Sequence, residues 1–398
     1  MRLLIFNPEN DLALASNDPH YTPPASALQM ASDLERLPLR WAEADDIVLL
    51  REGPTREDPF HARPRGMRDP LRVPAVSKGE AFGARISEPP LTISSASVAL
   101  TSRISDSHSN LVCLPWGWSP LLVRQLRGLG VPERALPSDE QMSAYRRFSS
   151  RETAVRLLSR LRAGWPEAFE RGMLVGTSTW CTSEDEVLES VGAYCGRAML
   201  KAPWSGSGRG VHPVRQLSQG EKTRTWIRRV LKSQGGVEVE PLYEKAQDLA
   251  LEFWADGGRV RYEGLSLFET TAGGVYAGNL VATEDVKEAR LASFIPAGVL
   301  EEVKEHLTSL LNDAHIPTWY CGPLGVDMMI VKTDPLSSSV IHHPYTLHPL
   351  VEINLRMTMG WVALRLAREL SSDETGVFRI SQQGGRYQAL LSKGKRQE

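Results

Sequence analysis

Lys201-Ala-Pro-Trp-Ser-Gly-Ser-Gly-Arg-Gly210 sets three glycines on alternate positions behind a lysine. Gly206, Gly208 and Gly210 let backbone N–H groups come close to an anion. Ser205 and Ser207 can donate hydroxyls, and Lys201 and Arg209 add positive charge. A phosphate group suits that composition. Far downstream, Val351-Glu-Ile-Asn-Leu-Arg356 places Glu352, Asn354 and Arg356 on alternate positions, hence on one face of a strand. Between the two, Asp327 interrupts the apolar run Gly325–Val331. An acid in such a strand is costly to bury unless it is paired or bound to a cation. Carboxylate and amide oxygens suit Mg²⁺, which takes few protein ligands and completes its shell with phosphate oxygens and water. Arg356 could stabilise charge on a transferring phosphoryl group. A phosphate loop combined with such a cation site points to a nucleotide-using enzyme.

Each part alone admits a plainer reading. The glycine run could be a hairpin turn. Asp327 and Arg356 could form a salt bridge, with Asn354 capping a helix that begins near Thr358. Two commoner phosphate motifs are absent. No lysine follows the glycines, as a Walker loop requires, and Val211 stands where a dinucleotide fingerprint would be completed.

The elements that must position these residues follow from pattern. Residues 1–6, 47–50 and 111–114 read as short apolar strands, and 27–37 as a helix, giving an open α/β arrangement for the first third. Residues 51–90 are crowded with Pro, Gly and Arg and show no period. A helical pattern runs from Gln141 to about Arg162, and Ser183-Glu-Asp-Glu186 is a capping box. Ala198–Lys201 is a strand leading into the glycine loop, and Thr223–Lys232 is a helix stopped by Gly235-Gly236. Strands are expected at 237–240, 248–255, 260–268, 325–332 and 350–354, with helices at 298–314 and 361–370. The tail 392–398 is polar and expected to fray. Asn7-Pro-Glu-Asn-Asp11 reads as a polar turn and helix cap, and Pro115-Trp-Gly-Trp-Ser119 as packing and a turn. Phe268–Asn279 reads as a hairpin or a substrate-facing loop. His342 and His343 read as exposed loop residues.

Composition bounds the alternatives. A chain of 398 residues is long enough for two or three domains. A net charge of −2 supplies no basic field, so no nucleic-acid partner is expected. The four cysteines have neither metal-ligand nor Cys-x-x-Cys spacing, which fits a reducing compartment. The N-terminal apolar run is too short for a signal-peptide core, and no stretch has the length of a membrane span. A cytoplasmic protein without a membrane partner is expected.

The order of motifs resembles the ATP-grasp superfamily, whose members include D-alanine–D-alanine ligase, biotin carboxylase and glutathione synthetase. The resemblance runs from about residue 140 to 370 and lies in the combination of motifs. It implies an α/β (α+β) fold. Two α+β subdomains, 137–240 and 241–398, would follow a small Rossmann-like N-terminal domain, 1–136. Carried over, Lys201 is similar to the phosphate-binding lysine and Ser205, Gly206, Ser207, Gly208, Arg209 and Gly210 to the lid loop. Val239–Tyr243 resembles the adenine hinge, with Glu240 at its acidic position and Leu242 in its backbone. Asp248 resembles the ribose-binding acid, and Met329 an apolar residue under the adenine. Asp327, Glu352 and Asn354 resemble a two-magnesium site, and Arg356 the arginine that follows the asparagine. A second ATP-binding lysine is usual; Arg151 stands in its place, and Gly325 stands where some members carry an arginine.

The resemblance implies ATP and Mg²⁺ as cofactors. It implies transfer of the γ-phosphoryl group to a small-molecule or peptide carboxylate, followed by attack of an amine. A phosphotransferase on the same fold, and a nucleotide-binding protein without catalysis, are the alternatives. Neither the substrates nor the oligomeric state follows from the sequence.

Overall fold

The computed structural model describes residues 1–50, 91–94, 111–206, 210–216, 220–271, 274–296, 298–333, 343–371 and 373–395. The segment 51–90, the loop residues Ser207, Gly208 and Arg209, and His342 lie outside the described residues.

Three sheets carry the chain. Strands β1 (Arg2–Ile5), β2 (Ile47–Leu50), β3 (Leu91–Ser94) and β4 (Val112–Pro115) form a parallel sheet in the order β3-β2-β1-β4. Leu3 and Leu4 are buried, as an apolar run in a covered parallel strand should be.

The second sheet is antiparallel. It holds β5 (Thr179–Cys181), β6 (Ala198–Lys201), β7 (Val211–Val214) and β8 (Val237–Pro241) in the order β5-β8-β6-β7. Its core, from Cys181 to Val239, is a cluster of its own. Helix Glu184–Ala193 opens on Ser183, whose hydroxyl accepts from Glu186 N–H at 3.2 Å. Glu186 in turn accepts from Thr182 N–H at 2.6 Å. Helix Glu221–Gln234 ends at Gly235, whose φ of 83° is a left-handed cap that glycine adopts without strain.

The third sheet has seven strands. They are β9 (Lys245–Asp256), β10 (Arg259–Thr270), β11 (Tyr276–Val281), β12 (Gly322–Lys332), β13 (Tyr345–Asn354), β14 (Glu374–Gln383) and β15 (Arg386–Lys395). Their order is β13-β12-β9-β10-β11-β14-β15, all neighbours antiparallel.

The mixed helix-and-sheet class is as expected, and two details differ. The helical run from Gln141 is two helices, Asp139–Phe148 and Arg151–Gly164, broken at Ser149-Ser150, where Ser150 caps the second helix. Met142, Phe148, Leu157 and Leu161 belong to one apolar cluster with Leu347 and Leu350 of β13. These helices therefore pack against β13, and helix Arg151–Gly164 also touches β5 and β8. Of the tail expected to fray, residues 392–395 belong to strand β15, which is turned back on β14 at Gly384-Gly385, and 396–398 lie outside the described residues. The hairpin expected at Phe268–Asn279 is present in the pairing of β10 with β11, where Phe268 lies opposite Asn279.

Candidate nucleotide and metal site

Register decides which side chains meet. Asp327 on β12 lies opposite Glu352 on β13, and Gly325 opposite Asn354. On the other side of β12, Gly325 pairs with Glu252, and Met329 with Asp248. The sheet thus gathers Asp327, Glu352 and Asn354, as the alternation in sequence predicts. The Asp327 carboxyl is pushed up to about 7, first by burial and then by Glu352, against the pull of Arg356 and a hydrogen bond from Asn354.

Arg356 does not form the salt bridge with Asp327 that the plainer reading allowed. Its Nε donates to Asp11 Oδ1 at 2.9 Å, and its Nη2 to Asn354 Oδ1 at 2.9 Å. Burial works against the Arg356 charge, but Asp11, Glu352 and Asp327 outweigh it and raise its pKa. The helix Met359–Ala367 is capped by Thr358, whose hydroxyl accepts from Trp361 N–H at 3.0 Å, so Asn354 is not the cap.

Arg151, the first residue of its helix, is buried and reaches across from the glycine loop to the metal strand. Its Nη1 donates to Ala202 O at 2.6 Å and to Ser205 Oγ at 2.8 Å. Its Nη2 donates to Glu352 Oε2 at 2.7 Å. The loop ends are pinned by Ala202 N–H donating to Gly210 O at 2.8 Å. Gly210 must be glycine here, because a Cβ would stand 2.2 Å from Ser205 Cβ. Trp204 anchors the loop start: its Nε1 donates to Arg146 O at 2.8 Å and the Arg146 guanidinium lies 3.7 Å over its ring. A Cβ at Gly206 would come within 3.0 Å of Asp11 Oδ2. The loop start therefore lies against the first turn of helix Asn10–Ser16, and Asp11 does more than complete a polar turn.

Lys201 sits differently from its expected role. Its Nζ is 2.8 Å from Glu240 Oε2 and 3.4 Å from Glu238 Oε1, on the buried face of β8. The cation that meets the loop and Glu352 is Arg151, whereas Lys201 is held among the hinge acids. Burial opposes the Lys201 charge, and Glu238 and Glu240 more than restore it. Leu242 N–H donates to Arg197 O at 3.0 Å. That donor closes the end of the strand pair, so Leu242 can offer a base only its carbonyl. Asp248 accepts from Lys245 Nζ at 2.5 Å and from Thr270 Oγ1 at 2.8 Å.

Sequence reasoning missed Glu238, Glu252 and His348. Val237-Glu-Val-Glu240 carries the signal for the first, since alternation puts both acids on one face. Glu252 fills the space beside Gly325: a Cβ at Gly325 would stand 2.8 Å from its Oε2, and one at Gly360 2.0 Å from its Oε1. Thr358 Oγ1 donates to Glu252 Oε1 at 2.8 Å, yet burial pushes the carboxyl up to about 8. His348 was hidden in an apolar run and has no spacing signal.

The donor set fits a small oxygen-loving cation. Among the described residues no group of three His, Cys, Asp or Glu side chains could hold a metal alone. Two crowded carboxylates and an amide remain, which suits an ion that completes its shell with phosphate and water. The guanidinium groups of Arg151 and Arg356 donate to the Glu352 carboxylate and to the Asn354 amide oxygen, marking where positive charge is favoured. The cavity lined by Asp11, Ser149, Trp204, Ser205, Glu352 and Asn354 is only about 10 Å³. That is room for one water, so a nucleotide requires the two sides to part.

No protein-family model and no curated protein matches the chain. Among solved structures, it is similar to the ADP complex of N5-carboxyaminoimidazole synthetase from Staphylococcus aureus, at 12% identity over 96% of this chain and 82% of that one, with a TM-score of 0.45. A biotin carboxylase from Campylobacter jejuni matches at 12% identity over 95% and 75%, with a TM-score of 0.47. An L-amino acid ligase from Bacillus licheniformis matches at 12% over 96% and 80%, with a TM-score of 0.42. These likenesses are distant, and the function rests on the site itself.

Proposed function

We propose that the protein is an ATP-grasp ligase that uses ATP and Mg²⁺ to activate a carboxylate for attack by an amine. One observation carries this: Arg151 touches Ser205 of the glycine loop and Glu352 of the carboxylate pair at once, at 2.8 and 2.7 Å. Loop and carboxylates therefore face one point, where a triphosphate would lie between them.

Asp327, Glu352 and Asn354 would hold Mg²⁺, which supplies charge neutralisation to the phosphates when bound. Arg151 and the loop would orient the γ-phosphoryl group, and Arg356 would stabilise charge on the group being transferred. A carboxylate oxygen attacks the γ-phosphorus and ADP leaves, giving an acyl-phosphate. The amine nitrogen then attacks the carbonyl carbon, inorganic phosphate leaves and the nitrogen releases a proton. No nucleophilic side chain is needed, and positioning supplies most of the rate. Release of ADP should require both Mg²⁺ and a carboxylate. ADP release that is equally fast without any carboxylate would contradict the ligase reading.

A further inference from the structure

Strand β5 is the edge of the four-stranded antiparallel sheet and pairs with β8 alone among the described strands. Its outer side therefore offers backbone N–H and C=O groups to an added strand. Beside that edge, against helix Glu184–Ala193, lies a cleft of about 330 Å³. None of its lining residues belongs to the nucleotide and metal site. The helix contributes Glu186, Glu189, Ser190 and Ala193, the i, i+3, i+4, i+7 stripe of one face. Such a stripe is about 10 Å long, the span of three strand residues, which set two side chains on one side.

The charge along the cleft is negative and uncompensated. Thr182 donates its N–H at 2.6 Å and its hydroxyl at 3.1 Å to the same oxygen of Glu186, Oε2. Glu189 has no hydrogen-bond or ion-pair partner among the described residues. Arg224 and Arg228, cations of the neighbouring helix, are both held on Glu184 at 2.7 Å. Trp180 and Tyr194 stand half-buried in the lining. The Trp180 ring is seated over Gly236, where a Cβ would stand 2.1 Å from its Cζ2. Cys181 is buried, and burial raises its thiol, so that part of the lining stays uncharged. Aromatic faces beside unpaired carboxylates suit a basic side chain on an aliphatic stem.

We propose that the β5 edge and this cleft dock an extended basic segment of a partner protein. The segment joins the sheet as an additional strand and places an arginine or lysine side chain in the cleft. Main-chain hydrogen bonds to β5 hold it, while Glu186 and Glu189 select the basic residue. The site is independent of the ligase reading.

Fluorescence polarisation with a labelled, capped peptide of alternating valine and arginine tests this on the full chain. Three competitors separate the contributions: the same peptide with glutamate for arginine, the same peptide N-methylated at alternate residues, and Nα-acetylarginine amide. The wild type should bind the basic peptide saturably, and about tenfold or more tighter than each competitor. Glu189→Lys should weaken binding about tenfold, and Ala193→Trp, which fills the cleft, should abolish it. Both positions are exposed, and thermal melting checks that the variants remain folded. No binding by the wild type, or unchanged binding in folded Glu189→Lys and Ala193→Trp, overturns the docking site. Equal affinity for the N-methylated peptide or for Nα-acetylarginine amide overturns strand addition.

Discussion

Arg151 Nη2 lies 2.7 Å from Glu352 Oε2, joining the first turn of helix Arg151–Gly164 to the edge strand of the seven-stranded sheet. The pair is 201 residues apart in sequence. In the proposed function it crosses the opening a nucleotide would enter, so binding would exchange one partner for another: phosphate for Glu352 on the arginine, and a cation for Arg151 on the carboxylate.

Arg151→Ala should therefore lower kcat/KM for ATP by about 10²-fold or more, the size expected when a charge-stabilising donor is removed. Arg151→Lys should recover part of the loss, since it restores the charge without the fork that reaches Ser205 and Glu352 together. Initial-rate measurement of ADP release checks both.

Asp11 fixes Arg356 from the first turn of helix Asn10–Ser16. Asp11→Asn keeps the shape and removes the charge. Acting through Arg356, it should lower kcat about 10-fold with little change in KM, while Arg356→Ala should depress kcat further. Steady-state kinetics of the two variants measure both effects.

Gly210→Ala places a Cβ where Ser205 Cβ already stands, at 2.2 Å. The loop base must then widen. Activity should fall about 10-fold or more while the melting temperature changes by only a few degrees, because the loop lies outside the apolar cores. Differential scanning calorimetry beside the rate assay checks the pair of outcomes.

Glu252 links pH to stability. Burial raises its carboxyl from an ordinary 4.5 to about 8. Between those values the unfolded chain has lost a proton that the folded chain keeps, so stability falls as pH rises. Wild type should lose on the order of 1–3 kcal/mol relative to Glu252→Gln between pH 5.5 and 8. Urea denaturation of both proteins at the two pH values measures it, and a constant difference would speak against the raised carboxyl.

The meeting of Asp327, Glu352 and Asn354 was legible because strand alternation is local: Glu352 and Asn354 share a face whatever surrounds them, and an acid within Gly325–Val331 needs a reason. The C-terminal hairpin had a signal too, Gly384-Gly385 between two alternating segments, whereas the polar composition of 392–398 pointed to fraying. Other features had none. That Lys201 turns to the hinge acids while Arg151 meets the loop depends on how two helices dock on β13. Asp11 and Arg356 are 345 residues apart, and only tertiary packing brings them together.

Hydroxylamine trapping across a panel of small carboxylates, with ATP and Mg²⁺, tests the central claim most directly. The wild type should form a hydroxamate and an equal amount of ADP with at least one acid, and Asn354→Ala should lose both products together while remaining folded. ADP and a stable phosphorylated product without hydroxamate, or hydroxamate formation undiminished in Asn354→Ala, would contradict the account.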